Sequence, residues 1–314
     1  MTPQVKKVLG FYESENPGII SNLARILNHG YLGGTGKLVI LPVDQGFEHG
    51  PIPSFARKEN NNTVLVSDSP YDPHYHFKLA IAAGCSAYAA PLGFLQSGAR
   101  HFAGEIPLIL KVNNSDSLYK DSTAPIPALT SSVEAALQLG CAAVGFTIYP
   151  GSEQRKQMYE EIAQVSEYAR ECGLAVVIWA YPRGKGISKK GETALDVVAY
   201  AAHIAAQLGA HIIKVKPPSD YIENDTVKDI VTPETLKTLS GRVHYIVQSA
   251  FNGRRIVIFS GGPAKEKEMF IQEIKELAKG GSFGSIVGRN AFKRPFNEAV
   301  PLLREIMDIY KVSN

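Results

Sequence analysis

Eight short apolar runs, separated by stretches long enough for crossover helices, most constrain what this chain can fold into. They span residues 38–44, 86–92, 107–113, 142–149, 174–181, 211–216, 255–260 and 285–288. Most are near-continuously apolar, as strands of a parallel sheet covered on both faces must be. Amphipathic or alanine-rich stretches lie between them, for example residues 153–171, 194–209 and 265–279. The helix-to-strand junctions also repeat, as Ala83-Gly84-Cys85, Leu139-Gly140-Cys141, Cys172-Gly173-Leu174 and Leu208-Gly209-Ala210. Glycine there is a left-handed helix stop before the next strand. Eight βα units predict an α/β fold, a (β/α)8 TIM barrel over residues 37–314, behind a helical N-terminal extension over residues 1–36. A doubly wound open sheet is the alternative, but no Gly-x-Gly-x-x-Gly follows the first strand. The run Gly30-Tyr31-Leu32-Gly33-Gly34-Thr35-Gly36-Lys37 is not a phosphate-binding P-loop. Tyr31 stands where the first glycine belongs, Leu38 replaces the Ser/Thr, and the run precedes a strand instead of following one.

Several function classes are disfavoured. A net charge of +3 without a dense Lys/Arg run gives no case for a nucleic-acid partner. No apolar stretch approaches the ~20 residues of a membrane span, and no signal-peptide apolar core follows Met1. A cytoplasmic protein is expected, in which the Asn61-Asn62-Thr63 sequon goes unused. Cys85, Cys141 and Cys172 lack paired spacing and read as small packing residues. His74 and His76 form the only close histidine pair, in a polar segment ahead of the second helix, with no third ligand evident. Neither a metal nor another cofactor is expected.

The chemistry concentrates in the sixth run, His211-Ile212-Ile213-Lys214-Val215-Lys216, where two lysines interrupt an otherwise buried strand. Long cations are almost never fully buried without a partner or a purpose. Desolvation would lower the pKa of Lys214 and leave a neutral amine, a nucleophile toward carbonyls. Side chains alternate along a strand, so Lys214 and Lys216 share a face, roughly 6–7 Å apart. Each is expected to depress the other's charge. The bland reading is that both lysines snorkel to water from a strand end.

Catalytic residues of such barrels sit at the C-terminal ends of strands and face inward. Trp179, Tyr181 and Arg183 share one parity at the end of the fifth run. They offer an aromatic wall, a phenol whose pKa is expected to fall beside a cationic lysine, and a fixed cation. An aromatic core layer is the plainer reading. Asp44 follows the first run and is either a turn or cap residue or a partner for the amine and a hydroxyl proton. Lys111 is another lysine at a strand end. Ser260-Gly261-Gly262-Pro263 follows the seventh run and Val287-Gly288-Arg289-Asn290 the eighth. Barrels commonly hold a phosphate between these two loops, on backbone N–H groups and a short helix terminus. Arg289 would add a charge-assisted fork. The long segment over residues 55–73 could close over a substrate or be a surface insertion.

These residues resemble the archaeal-type class I fructose-1,6-bisphosphate aldolases and the bacterial branch of the DeoC/FbaB aldolase family. The likeness begins at Leu41-Pro42-Val43-Asp44-Gln45-Gly46-Phe47-Glu48-His49-Gly50 and runs through Pro107-Leu108-Ile109-Leu110-Lys111 and Val144-Gly145-Phe146-Thr147-Ile148-Tyr149-Pro150-Gly151-Ser152. It continues through Trp179-Ala180-Tyr181-Pro182-Arg183-Gly184, Ile213-Lys214-Val215-Lys216, Ser260-Gly261-Gly262 and Val287-Gly288-Arg289-Asn290, in the family's order over residues 37–300. The resemblance implies Lys214 as the Schiff-base residue, Tyr181 as proton donor, and Asp44 as an aid to proton transfer. It implies a phosphorylated sugar substrate, bound by Gln45, His49, Lys111, Trp179, Arg183 and Lys216, with Ser260, Gly261, Gly262, Gly288 and Arg289 holding a phosphate. Many archaeal members carry histidine after the aspartate; this chain has Gln45, as bacterial members do. Members are typically homo-oligomers, often decamers of pentamer rings. The rival readings are a related Schiff-base aldolase or transferase for another phosphorylated ketose, resembling the aminodeoxyheptulosonate synthases, and a noncatalytic sugar-phosphate-binding barrel.

Overall fold

A computed structural model describes residues 1–59, 62–64, 69–118, 124–262 and 265–313. Asn61 of the sequon, parts of the 55–73 segment and Pro263 lie outside the described residues. Eight parallel strands close a barrel: β1 Leu38–Pro42, β2 Ala87–Pro91, β3 Leu108–Lys111, β4 Ala143–Ile148, β5 Ala175–Ala180, β6 Ile212–Val215, β7 Ile256–Ser260 and β8 Gly284–Ile286. Each strand pairs with its sequence neighbours, and β8 returns to β1. Each of the eight runs expected from the sequence holds a strand, seven of them within the run and the eighth beginning one residue before it, at Gly284. Closure brings β8 so near β1 that a Cβ on Gly284 would lie 1.7 Å from the Leu38 carbonyl oxygen. Only glycine fits there, and its φ of 150° also suits glycine.

The long crossover helices include Pro73–Ala83, Arg155–Glu171, Leu195–Gln207, Leu239–Ser249 and Lys267–Lys279, and Phe296–Val312 follows β8. Gly84, Gly140, Gly173 and Gly209 have φ between 66° and 83°, the left-handed stops expected at the junctions. His74 and His76 lie inside the first of these helices, not in a segment before it. Pro73, at its first position, needs no N–H partner, and the Asp72 side chain accepts from the His74 N–H.

Strand alternation divides the core in two. Outward residues such as Val39, Val176, Ile213 and Val257 pack under the helices. Inward residues such as Leu38, Ile40, Ile109, Val177, Ile212 and Ile258 fill the lumen. The lumen core continues into the N-terminal extension, which forms helices α1 (Pro3–Leu9) and α2 (Pro17–Leu27). Thr2 and Asn16 cap them, each accepting a backbone N–H, and each helix begins with proline. Ile19, Leu23, Ile26 and Leu27 form the buried stripe of α2 and share the lumen core. Burying such a side chain contributes about 1.5–3 kcal/mol. The extension is tied to the strand starts: Tyr12 Oη donates to the His211 carbonyl at 2.5 Å and accepts from the Ile256 N–H at 3.0 Å. The opposite, C-terminal end stays open.

Candidate active site

At that open end the strands deliver their last inward residues to a cavity of about 520 Å³. Lys214 stands in its wall on β6 and is only 4% exposed. Burial pushes its pKa down to about 8; Lys111 and Arg289 add to the effect, while Asp44 and Glu48 oppose it. The lysine pressing on Lys214 is therefore Lys111, across the barrel, instead of Lys216 on the same strand. Lys216 turns away to Glu192, with Nζ 3.4 Å from Oε2, so the mutual depression expected from their spacing is replaced by this pair.

Trp179 lies beside Lys214 in register across β5 and β6. The ammonium nitrogens of Lys214 and Lys111 stand 5.4 and 5.5 Å from its ring centroids, within cation–π range. Lys111 donates to the Asn113 carbonyl at 2.8 Å and lies 3.9 Å from Asp44 Oδ2. Lys111 and Trp179, expected among the substrate-binding residues, are each 1% exposed and stand behind the cavity wall. Their reach is to the amine and to Asp44.

Asp44 occupies the N-cap position of the short helix α3 (Gln45–His49), but its side chain makes no cap hydrogen bond. The carboxylate lines the cavity instead, together with Gln45, His49 and Glu48 from the helix. Tyr181 and Arg183 stand on the wall beyond β5. The Tyr181 ring centroid is 5.2 Å from Lys214 Nζ, 5.8 Å from Lys216 Nζ and 5.9 Å from the Arg183 guanidinium. Its acidity goes against the expectation from the sequence. Desolvation holds the phenol well above its ordinary range, Asp44 and Glu48 push the same way, and Arg183 opposes them. Two carboxylates and burial outweigh the neighbouring cations, and the phenol keeps its proton.

The same cavity is lined by Ser260, Gly261 and Gly262 from the loop after β7, the strand next to β6, and by Gly288 and Arg289 from the loop after β8. Asn290 ties the two loops together, donating to the Gly261 carbonyl at 2.8 Å and accepting from the Lys265 N–H at 2.9 Å. A Cβ on Gly288 would come within 3.0 Å of Gln45 Nε2 and the Pro42 carbonyl. Arg289 opens a short helix, Arg289–Phe292. Small residues, a cation and loop backbone thus share the cavity with the amine, an arrangement suited to an anionic phosphate.

Glu48, Lys265 and Asn290 were not among the residues singled out in the sequence. Glu48 had a readable signal: it lies four residues after Asp44, one helical turn. Lys265 and Asn290 flank the glycine loops, but nothing in their spacing marks them. His74 and His76 stand apart from the cavity, their Nε2 atoms 2.8 Å from the Ser97 carbonyl and 2.7 Å from the Pro70 carbonyl. Among the described residues, no group of three His, Cys, Asp or Glu is placed to hold a metal ion.

Residues 38–294 match the model of the DeoC/LacD family of aldolases. A probable fructose-bisphosphate aldolase class 1 from Chlamydia muridarum is 37% identical over 313 residues, covering 96% of this chain and 87% of the relative. A fructose-bisphosphate aldolase class 1 from Thermoproteus tenax is 34% identical, covering 87% and 89%. Among solved structures, an archaeal fructose-1,6-bisphosphate aldolase, captured with its catalytic lysine bound to the carbinolamine intermediate, superposes with a TM-score of 0.72. The two share 31% identity over 91% of this chain and 98% of that one. With its closed barrel, the buried lysine on β6 and the paired glycine loops, the chain belongs to the DeoC/LacD family of aldolases.

Proposed function

We propose that this protein is a class I fructose-1,6-bisphosphate aldolase, which reversibly cleaves the sugar bisphosphate to dihydroxyacetone phosphate and glyceraldehyde 3-phosphate. The observation that carries this reading is Lys214: a buried amine whose pKa is pushed down to about 8, in one cavity with the glycine loops after β7 and β8. With a phosphate on Ser260, Gly261, Gly262, Gly288 and Arg289, the ketose carbonyl is presented to Lys214. Nucleophilic attack and loss of water give an iminium ion, which takes the electron pair when the carbon–carbon bond breaks. Asp44 takes the hydroxyl proton in that step, and Tyr181, which keeps its proton in this environment, gives it to the enamine carbon. Transfer from Asp44 back to Tyr181 resets the pair. Hydrolysis of the second iminium releases the ketone phosphate. Gln45, His49, Arg183 and Lys216 contact the rest of the substrate.

Lys214→Met tests this directly. It is expected to abolish cleavage, in the presence of a chelator, while the fold is retained; near-wild-type turnover would sink the reading. Family resemblance extends the proposal to a cytoplasmic homo-oligomer working in glycolysis or gluconeogenesis. Light scattering against the 34.1 kDa chain mass tests the assembly, and a monomer would overturn that part.

A further inference from the structure

One barrel strand turns aside early, just past Lys111. Register pairs Lys111 on β3 with Gly145 on β4, and two residues further on it sets Asn113 opposite Thr147. The Val112 N–H donates to the Gly145 carbonyl at 2.9 Å. In a continued parallel ladder the Thr147 N–H would go to the Val112 carbonyl. That carbonyl accepts instead from the Thr130 N–H at 2.8 Å, because the chain leaves the barrel to pair Asn113–Asn114 with Ala128–Leu129. The Thr147 main chain is taken up by the Asn113 side chain. Its Oδ1 accepts from the Thr147 N–H at 2.6 Å, and its Nδ2 donates to the Thr147 carbonyl at 2.9 Å. A side-chain amide thus replaces a peptide group in the sheet. Thr147 stands level with Trp179, and Trp179 with Lys214, so this rung lies at the height of the amine.

Asn113 makes a further bond that the ladder does not need. Its main-chain carbonyl accepts from Lys111 Nζ at 2.8 Å. The nearest carboxylate to that ammonium is Asp44, with Oδ2 at 3.9 Å, beyond hydrogen-bond reach. Lys111 is 1% exposed and Asn113 2%, so protein groups, not bulk water, place the lysine head. Any residue at 113 has a carbonyl. What asparagine adds is a side chain that fixes this carbonyl against β4. We propose that Asn113 is a positioning residue for the cleavage reaction: its amide bridges β3 to β4, and its carbonyl thereby holds Lys111 Nζ beside Asp44 and Trp179. This role rests on the Schiff-base reading of the site.

The place of Lys111 matters to its neighbours. Its ammonium and that of Lys214 stand 5.5 and 5.4 Å from ring centroids of the same indole. Burial dominates the titration of Lys214; Asp44 and Glu48 favour its charged form, and Lys111 and Arg289 oppose it. Removing the Lys111 charge therefore raises the pH midpoint of iminium formation, and moving that charge displaces it. Released from the Asn113 carbonyl, the ammonium is expected to close on Asp44 and to occupy the carboxylate that the scheme above uses as a base.

A double-mutant cycle tests the assignment. The readouts are kcat/KM for fructose 1,6-bisphosphate cleavage and the pH midpoint of borohydride trapping with dihydroxyacetone phosphate. Both are measured in wild type, Asn113→Leu, Lys111→Met and the double variant. Asn113→Leu keeps a side chain of similar size and loses the amide. It is expected to lower kcat/KM by roughly 10–100-fold and to displace the midpoint. Lys111→Met is expected to raise the midpoint. In the double variant, position 113 should add nothing: rate and midpoint match those of Lys111→Met. Losses that multiply, or a displacement that persists without Lys111, would mean that Asn113 only staples two strands, and would overturn the proposal. Wild-type rate and midpoint in Asn113→Leu overturn it too. If Asn113→Leu does not fold, Asn113→Ser enters the same cycle; if that also fails to fold, Asn113 is structural and the proposal falls. No adduct on wild type sinks the Schiff-base reading instead, and the kcat/KM cycle still decides the role of Asn113.

Discussion

At Gly145, on β4, the missing side chain makes room for the indole of Trp179. A Cβ there would lie 2.4 Å from Cζ3 and 2.7 Å from Cη2 of that ring. Trp179 is buried and has Lys214 and Lys111 against it, so it cannot yield without moving the amine. Gly145→Ala should therefore lower kcat/KM by roughly 10–100-fold, since displacements of about 1 Å near the chemistry can cost that much. Trp179 is the chain's only tryptophan, so a shift in emission should accompany the loss; unchanged kinetics and emission would contradict the packing argument. At this scale the sequence was most informative about direction. Lys214, Trp179, Tyr181 and Arg183 were legible because strand alternation fixes a side chain's face from parity alone. The acidity of Tyr181 was not, because its sign depends on a three-dimensional sum of burial, two carboxylates and several cations. Glu48 was passed over because it lies on a helix, where strand parity says nothing.

Among the elements, the strands were legible because β strands buried on both faces leave an uninterrupted apolar record. Their junction glycines supported the same boundaries. The extension was legible as helical, but its destination was not. Nothing in the local pattern of α2 says that Ile19, Leu23 and Ile26 meet the lumen core instead of the outer helices. Tyr12 is the clearest tie between extension and barrel, bonding at once to the His211 carbonyl and the Ile256 N–H. Tyr12→Phe strands both groups and should cost about 1–3 kcal/mol in chemical denaturation, with kcat and KM nearly unchanged. A stability equal to wild type would mean that the tie is dispensable.

Across the whole molecule the division of labour follows the barrel axis. The start of the strands is sealed by apolar side chains from α1 and α2, and the ends of the strands hold the ionisable groups. The lumen changes from Ile212 to Lys214 along β6 and from Val177 to Tyr181 along and beyond β5, a passage from packing to chemistry within a few residues. Desolvation at the upper level brings the pKa of Lys214 down to about 8, toward neutrality, and the glycine loops after β7 and β8 line the same cavity. The central claim is that this amine forms the covalent link to substrate. The most direct measurement is peptide mapping of the protein after borohydride reduction in the presence of dihydroxyacetone phosphate and a chelator. The account predicts a single adduct, on Lys214, absent from Lys214→Met. A stable adduct on Lys111 or Lys216 instead, or none while the ligand demonstrably binds, would contradict it.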